Sequence, residues 1–149
     1  MKKFKFRLDR VANTKEKQVK QKTSELANLI KKHELAKRKL NDLNNEIEST
    51  QQEIFKRSSQ GCPIQELLDC QQFIDKLCFA VKKTKKEIET IEDEIEKLQL
   101  TLLELNKEKK VLEKLRERRH LQYVVEQNRE EQKQLDDMFN ITKELRKIL

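Results

Sequence analysis

Two rows of apolar residues recur every seven positions through most of the chain. The first runs Val19, Leu26, His33, Leu40, Ile47 and Ile54, with a companion row at Leu29, Ala36, Leu43 and Thr50. After an interruption the spacing resumes at Leu67, Ile74, Val81, Ile88, Ile95 and Leu102, accompanied by Cys70, Leu77, Thr84, Ile91, Leu98, Leu105 and Leu112. A seven-residue repeat of this kind is the seam of a coiled coil. The interruption, Ser58-Ser59-Gln60-Gly61-Cys62-Pro63, holds the sole Gly and the sole Pro of the sequence. Gly suits the left-handed residue just past a helix end, and Pro the first position of a new helix. The pattern predicts helix one over about 5–60, a turn over about 58–63 and helix two over about 63–145.

The two rows also fix how the helices face each other. Positions matched across the turn, Leu26 with Leu98, His33 with Ile91, Leu40 with Thr84 and Ile47 with Leu77, have numbers that always total 124. The fold-back is therefore centred on Cys62. The expected fold is all-α: one antiparallel two-helix coiled-coil hairpin across residues 1–149 with a longer C-terminal helix. His33, Thr50 and Thr84 are polar layers of the seam, which can fix register at a cost in stability.

Both ends depart from the repeat. Phe4, Leu8 and Val11 have helical spacing, which favours an early start to helix one. Val11 and Val19 are eight residues apart, so a phase slip is expected between them. In helix two, Lys109, Arg116 and Arg119 stand at seam positions. Beyond about residue 121 no partner remains within the hairpin. A new stripe follows there, through Leu121, Val125, Leu135, Phe139 and Leu149. An amphipathic helix without a partner in its own chain asks for another chain. Near the turn, Phe55, Phe73 and Phe79 lie off the seam and are expected on the surface.

Composition supports the helical reading. Charged residues make up 41% and hydrophobic ones 35%, too little apolar surface for a thick core but enough for a two-helix seam. No run approaches the ~18 apolar residues of a membrane span, and no apolar segment follows the basic start. Three cysteines without a CxxC pair fit a reducing, cytoplasmic setting. The net charge is +7, and residues 1–22 alone hold nine basic residues against Asp9 and Glu16. The excess charge therefore sits at the beginning of the chain.

Chemistry is hard to build from these residues. There is no Gly-rich phosphate loop, and His33 and His120 are far apart along the sequence. The carboxylates lie on exposed helical faces with no pocket to perturb them. No catalytic, cofactor-binding or metal-binding residues are expected, and the chain is read as a non-enzyme. The basic end alone would also fit a nucleic-acid-associated coiled coil, and the unpartnered stripe a self-assembling one. No recognition fold for nucleic acid accompanies the charge.

Three stretches carry a resemblance. They are Phe4-Lys5-Phe6-Arg7-Leu8-Asp9-Arg10-Val11, then Leu112-Glu113-Lys114-Leu115-Arg116-Glu117-Arg118-Arg119 followed by Tyr123, and Glu130-Glu131-Gln132-Lys133-Gln134-Leu135-Asp136-Asp137. In order and separation they resemble the flagellar export protein FliJ family, and the resemblance spans the whole chain. It implies an antiparallel coiled coil of the bacterial flagellar type III export apparatus, similar to the stalk subunit of rotary ATPases. The implied partners are the hexameric export ATPase, the membrane export-gate protein and export chaperones, with no nucleic acid and at most weak self-association. The implied location is cytoplasmic, peripheral to the inner membrane at the flagellar base. Residues expected at the ATPase are Phe4, Phe6, Arg7, Leu8, Arg10, Leu115, Arg116, Arg118, Arg119, Tyr123, Gln132, Leu135 and Asp136. Phe55, Phe73 and Phe79 are expected at the gate from their exposure.

Overall fold

The computed structural model describes residues 2–149 as two helices, α1 (Asp9–Gln60, 52 residues) and α2 (Ile64–Ile148, 85 residues), with no strand among the described residues. The chain is an all-α helical hairpin whose second helix is the longer. Gly61 closes α1 with φ at +83°, a left-handed conformation that glycine adopts without steric cost. Pro63 lies just ahead of α2, and its carbonyl accepts the Glu66 N–H at 3.1 Å, which starts the new helix.

Contacts divide the chain into two units, one formed by Lys20–Leu103 and the other by Met1–Val19 with Glu104–Leu149. In the Lys20–Leu103 unit the heptad rows are the buried rows. Ile74, Leu77, Val81, Thr84 and Ile88 of α2 are buried. Leu26, Leu29, His33, Ala36, Leu40, Leu43, Ile47 and Thr50 of α1 are half-buried. Each buried aliphatic residue contributes about 1.5–3 kcal/mol, which makes this stretch the apolar centre of its unit. Thr84 is 1% exposed, and its hydroxyl donates to the Ala80 carbonyl at 2.8 Å. That bond lets a polar side chain occupy a dry layer without a partner on the facing helix. His33 Nε2 meets Glu92 Oε1 at 3.0 Å, and Arg57 lies 3.8 Å from Glu66. The numbers of each pair total within one of 124, as an antiparallel register about Cys62 requires.

The other unit corrects two expectations. Helix one starts at Asp9 and not near residue 5. The Asp9 N–H donates to the Phe6 carbonyl at 3.2 Å across a turn, and the Asp9 carboxylate sits at the positive end of the helix dipole. No phase slip exists. Leu8, Ala12, Lys15 and Val19 are half-buried and extend the heptad rows backwards, while Val11 is 44% exposed. The smaller Ala12 takes the seam because the register of the following turns dictates it, not because of its size.

A third correction concerns α2 beyond residue 121. Tyr123 and Gln127 are half-buried, so the partnered part of the helix extends further than expected. Residues 2–8 are non-helical and cover it. An extended chain rises about 3.3 Å per residue against 1.5 Å for a helix, so a short extended segment spans about twice as many helical positions. From Asn128 onward every residue of α2 is exposed, including Leu135, Phe139 and Ile148 at 61%, 68% and 81%. Among the described residues no helix is long and apolar enough to cross a membrane.

Candidate partner-binding surface

The sequence Lys3-Phe4-Lys5-Phe6-Arg7 alternates cation and aromatic. In extended backbone successive side chains point to opposite sides, so this alternation sends both rings one way and the cations the other. Phe6 is buried at 7% exposure and Phe4 half-buried, while Lys3, Lys5 and Arg7 are exposed. The Phe4 ring meets His120 edge-on at 4.9 Å between centroids and lies 5.6 Å from Tyr123. The His120 and Tyr123 rings stack at 6.4 Å. The Tyr123 hydroxyl donates to the Lys2 carbonyl and accepts from Gln127 Nε2 at 2.9 Å. Aromatic contact and hydrogen bonds together clasp the N-terminal segment to α2.

Ion pairs continue the attachment toward the start of α1. Asp9 lies 3.9 Å from the Arg116 guanidinium, and the Lys15 ammonium contacts the Glu108 carboxylate. The Asp9 pair is exposed and contributes no more than about 1 kcal/mol. Arg7, Arg119 and Lys5 border one open surface with Phe4, Phe6, Tyr123 and Glu126, so cations outnumber the one carboxylate there.

The expected partner-binding residues therefore fall into four groups. Phe4, Phe6, Leu8, Leu115 and Tyr123 are at least half-buried and hold the segment in place. Arg7, Arg10, Arg116, Arg118 and Arg119 are exposed, with guanidinium groups open to solvent or to a partner. Gln132, Leu135 and Asp136 lie outside the clasp on the exposed run of α2, where Gln132 Nε2 donates to Asp136 Oδ1 at 3.3 Å. In the Lys20–Leu103 unit, Phe55, Phe73 and Phe79 are 76%, 43% and 73% exposed. Reading by sequence overlooked His120 and Gln127 as clasp residues. Their signal was the spacing His120, Tyr123 and Gln127, three and four residues apart and hence on one helical face.

Among the described residues no group of His, Cys, Asp and Glu could hold a metal ion. The class that the fold defines is a long all-α helical hairpin with an aromatic clasp between its N-terminal segment and α2. The comparisons with known proteins make the class specific. The FliJ family, described as flagellar FliJ protein, matches residues 4–144. The flagellar FliJ protein of Bacillus subtilis (strain 168) is 27% identical over 135 residues, which cover 91% of this chain and 92% of the relative. No solved structure gives a significant match. The chain belongs to the FliJ family of flagellar export proteins.

Proposed function

We propose that this chain is a non-enzymatic, stalk-like component of the flagellar type III export apparatus. Its clasped end inserts into the hexameric export ATPase, and its turn-containing unit contacts the membrane export gate. It works at the cytoplasmic side of the inner membrane. The observation that carries the reading is the pairing of five exposed arginines, Arg7, Arg10, Arg116, Arg118 and Arg119, with a segment clasped beside them. Clustered guanidinium groups of this kind suit an anionic protein surface, since each can pair with a carboxylate through two parallel hydrogen bonds. The exposed run of α2 bearing Gln132, Leu135 and Asp136 supplies apolar and amide contacts further along. Phe55, Phe73 and Phe79 supply contacts at the gate end. Export chaperones are further partners of the exposed faces.

The test is stimulation of the export ATPase by the purified chain in solution. The wild-type chain raises ATP turnover. Arg116, Arg118 and Arg119 exchanged together for Glu abolish the increase while far-UV circular dichroism keeps its helical signal. Full stimulation by that variant removes the arginines from the interface and refutes the proposal.

A further inference from the structure

Between Lys76 and Lys86 the chain carries five lysines, Lys76, Lys82, Lys83, Lys85 and Lys86, and no acidic residue. Elsewhere α2 mixes the two signs, with Glu87, Glu89, Glu92, Asp93, Glu94 and Glu96 following directly. The lysines are exposed, and none is in an ion pair among the described residues. In their midst stands Phe79, 73% exposed, with Lys76 three residues before it and Lys82, Lys83 and Lys86 three, four and seven after. Those spacings put one aromatic ring and four ammonium groups on a single helical face, with one carboxylate, Asp75, four residues before Phe79 and accepting from Gln71 Nε2 at 3.3 Å. The seam residues Leu77, Val81 and Thr84 point the other way, into the hairpin. Phe79 and Lys82, Lys83, Lys85 and Lys86 border one open depression.

We infer that this face rests on an anionic lipid bilayer, with the lysines on lipid phosphates and Phe79 in the headgroup layer. Charge complementarity selects an anionic partner. The residue types select a bilayer among anionic partners. Lysine is a flexible point charge, suited to many phosphates at no fixed geometry, whereas arginine forks and amide side chains that read one defined shape are missing from the face. A single protruding ring offers no groove for a peptide and no second ring for successive nucleotide bases. Clustered lysines with an exposed aromatic are the chemistry of a membrane-surface contact. The inference deepens the gate-end part of the function proposed above, giving Phe79 to lipid and leaving Phe55 and Phe73 to protein. It does not depend on the ATPase contact, since stimulation in lipid-free solution tests that part separately.

The sequence has no tryptophan, so Phe79→Trp places a single indole reporter in the full chain. With vesicles of phosphatidylcholine and phosphatidylglycerol its emission shifts to the blue, and with phosphatidylcholine alone it does not. Each lysine near such a surface changes the partition coefficient by about fivefold, so Lys82, Lys83, Lys85 and Lys86 exchanged for Gln lower the partition coefficient read by vesicle co-sedimentation by about six-hundredfold. The comparison variant, with Lys2, Lys3, Lys5 and Lys17 exchanged for Gln, removes the same charge from the other unit and retains the blue shift of the reporter. Loss of the blue shift in the comparison variant, with the shift kept in the lysine-face variant, overturns the inference. So does Phe79→Trp emission that stays unshifted on anionic vesicles, with or without a response to a soluble oligonucleotide or acidic polypeptide.

Discussion

Replacing Phe4 with Ala isolates the clasp from the coiled coil. Burial of a whole Phe side chain is worth about 3–5 kcal/mol against Ala, and Phe4 is only half-buried. About half of that range, including its edge contacts with His120 and Tyr123, gives about 2 kcal/mol. The loss falls on docking of the segment ahead of Asp9, because that segment lies outside both helices. An opening equilibrium shifted by ~2 kcal/mol is about thirtyfold. Limited trypsinolysis reads it directly, since Lys2, Lys3, Lys5 and Arg7 are cleavage sites and proteolysis follows the open population when reclosing is fast. Cleavage ahead of Asp9 accelerates by about that factor, while the urea midpoint of the helical signal stays in place. Tyr123→Phe, which removes the donor to Lys2, gives a smaller increase of about fivefold. Unchanged cleavage in Phe4→Ala, or an equal fall in the urea midpoint, refutes the separation of clasp from coil.

Two further substitutions test the hairpin itself. Thr84→Val removes a hydroxyl bonded only to its own helix and keeps the side-chain shape in a layer that excludes water, so the urea midpoint rises by the equivalent of up to about 1 kcal/mol. A fall of that size shows that the hydroxyl has a role in the layer. Gly61→Ala meets open space around the added Cβ, so its whole cost is the left-handed backbone, about 1–2 kcal/mol in the same urea titration. A cost near zero shows that the turn readily adopts another backbone form.

The seam and the turn were legible because each depends on a local rule repeated many times. The heptad rows needed only apolar spacing, and Gly61 with Pro63 needed only backbone preference. The clasp was not, because two periodicities compete at the N-terminus. Phe4, Leu8 and Val11 satisfy a helical spacing, while Lys3-Phe4-Lys5-Phe6-Arg7 satisfies a strand-like alternation over fewer residues. The alternation governs the structure because it puts both Phe rings against α2. Ala12 was passed over for Val11 on size, although counting back seven from Val19 reaches Ala12. Leu8, by contrast, satisfies both the helical spacing and the heptad. For the expected partner-binding residues, the three stretches that carry the resemblance marked positions along the chain and nothing of their exposure. They could not distinguish Phe6, which is buried for support, from Arg118, which is exposed, since burial depends on what the extended segment covers.

The clasp joins residues 121 positions apart, Lys2 and Tyr123, whereas Arg57 and Glu66 beside the turn are nine apart. On a ribosome that order becomes a schedule. The hairpin around Cys62 has all its pieces once the chain has grown past Leu103, with the first residues still waiting. Only after Tyr123 and Gln127 emerge can Phe4 find its seat. The clasp is thus completed after the hairpin, and a nascent chain halted before Tyr123 carries a finished hairpin with its first residues untethered.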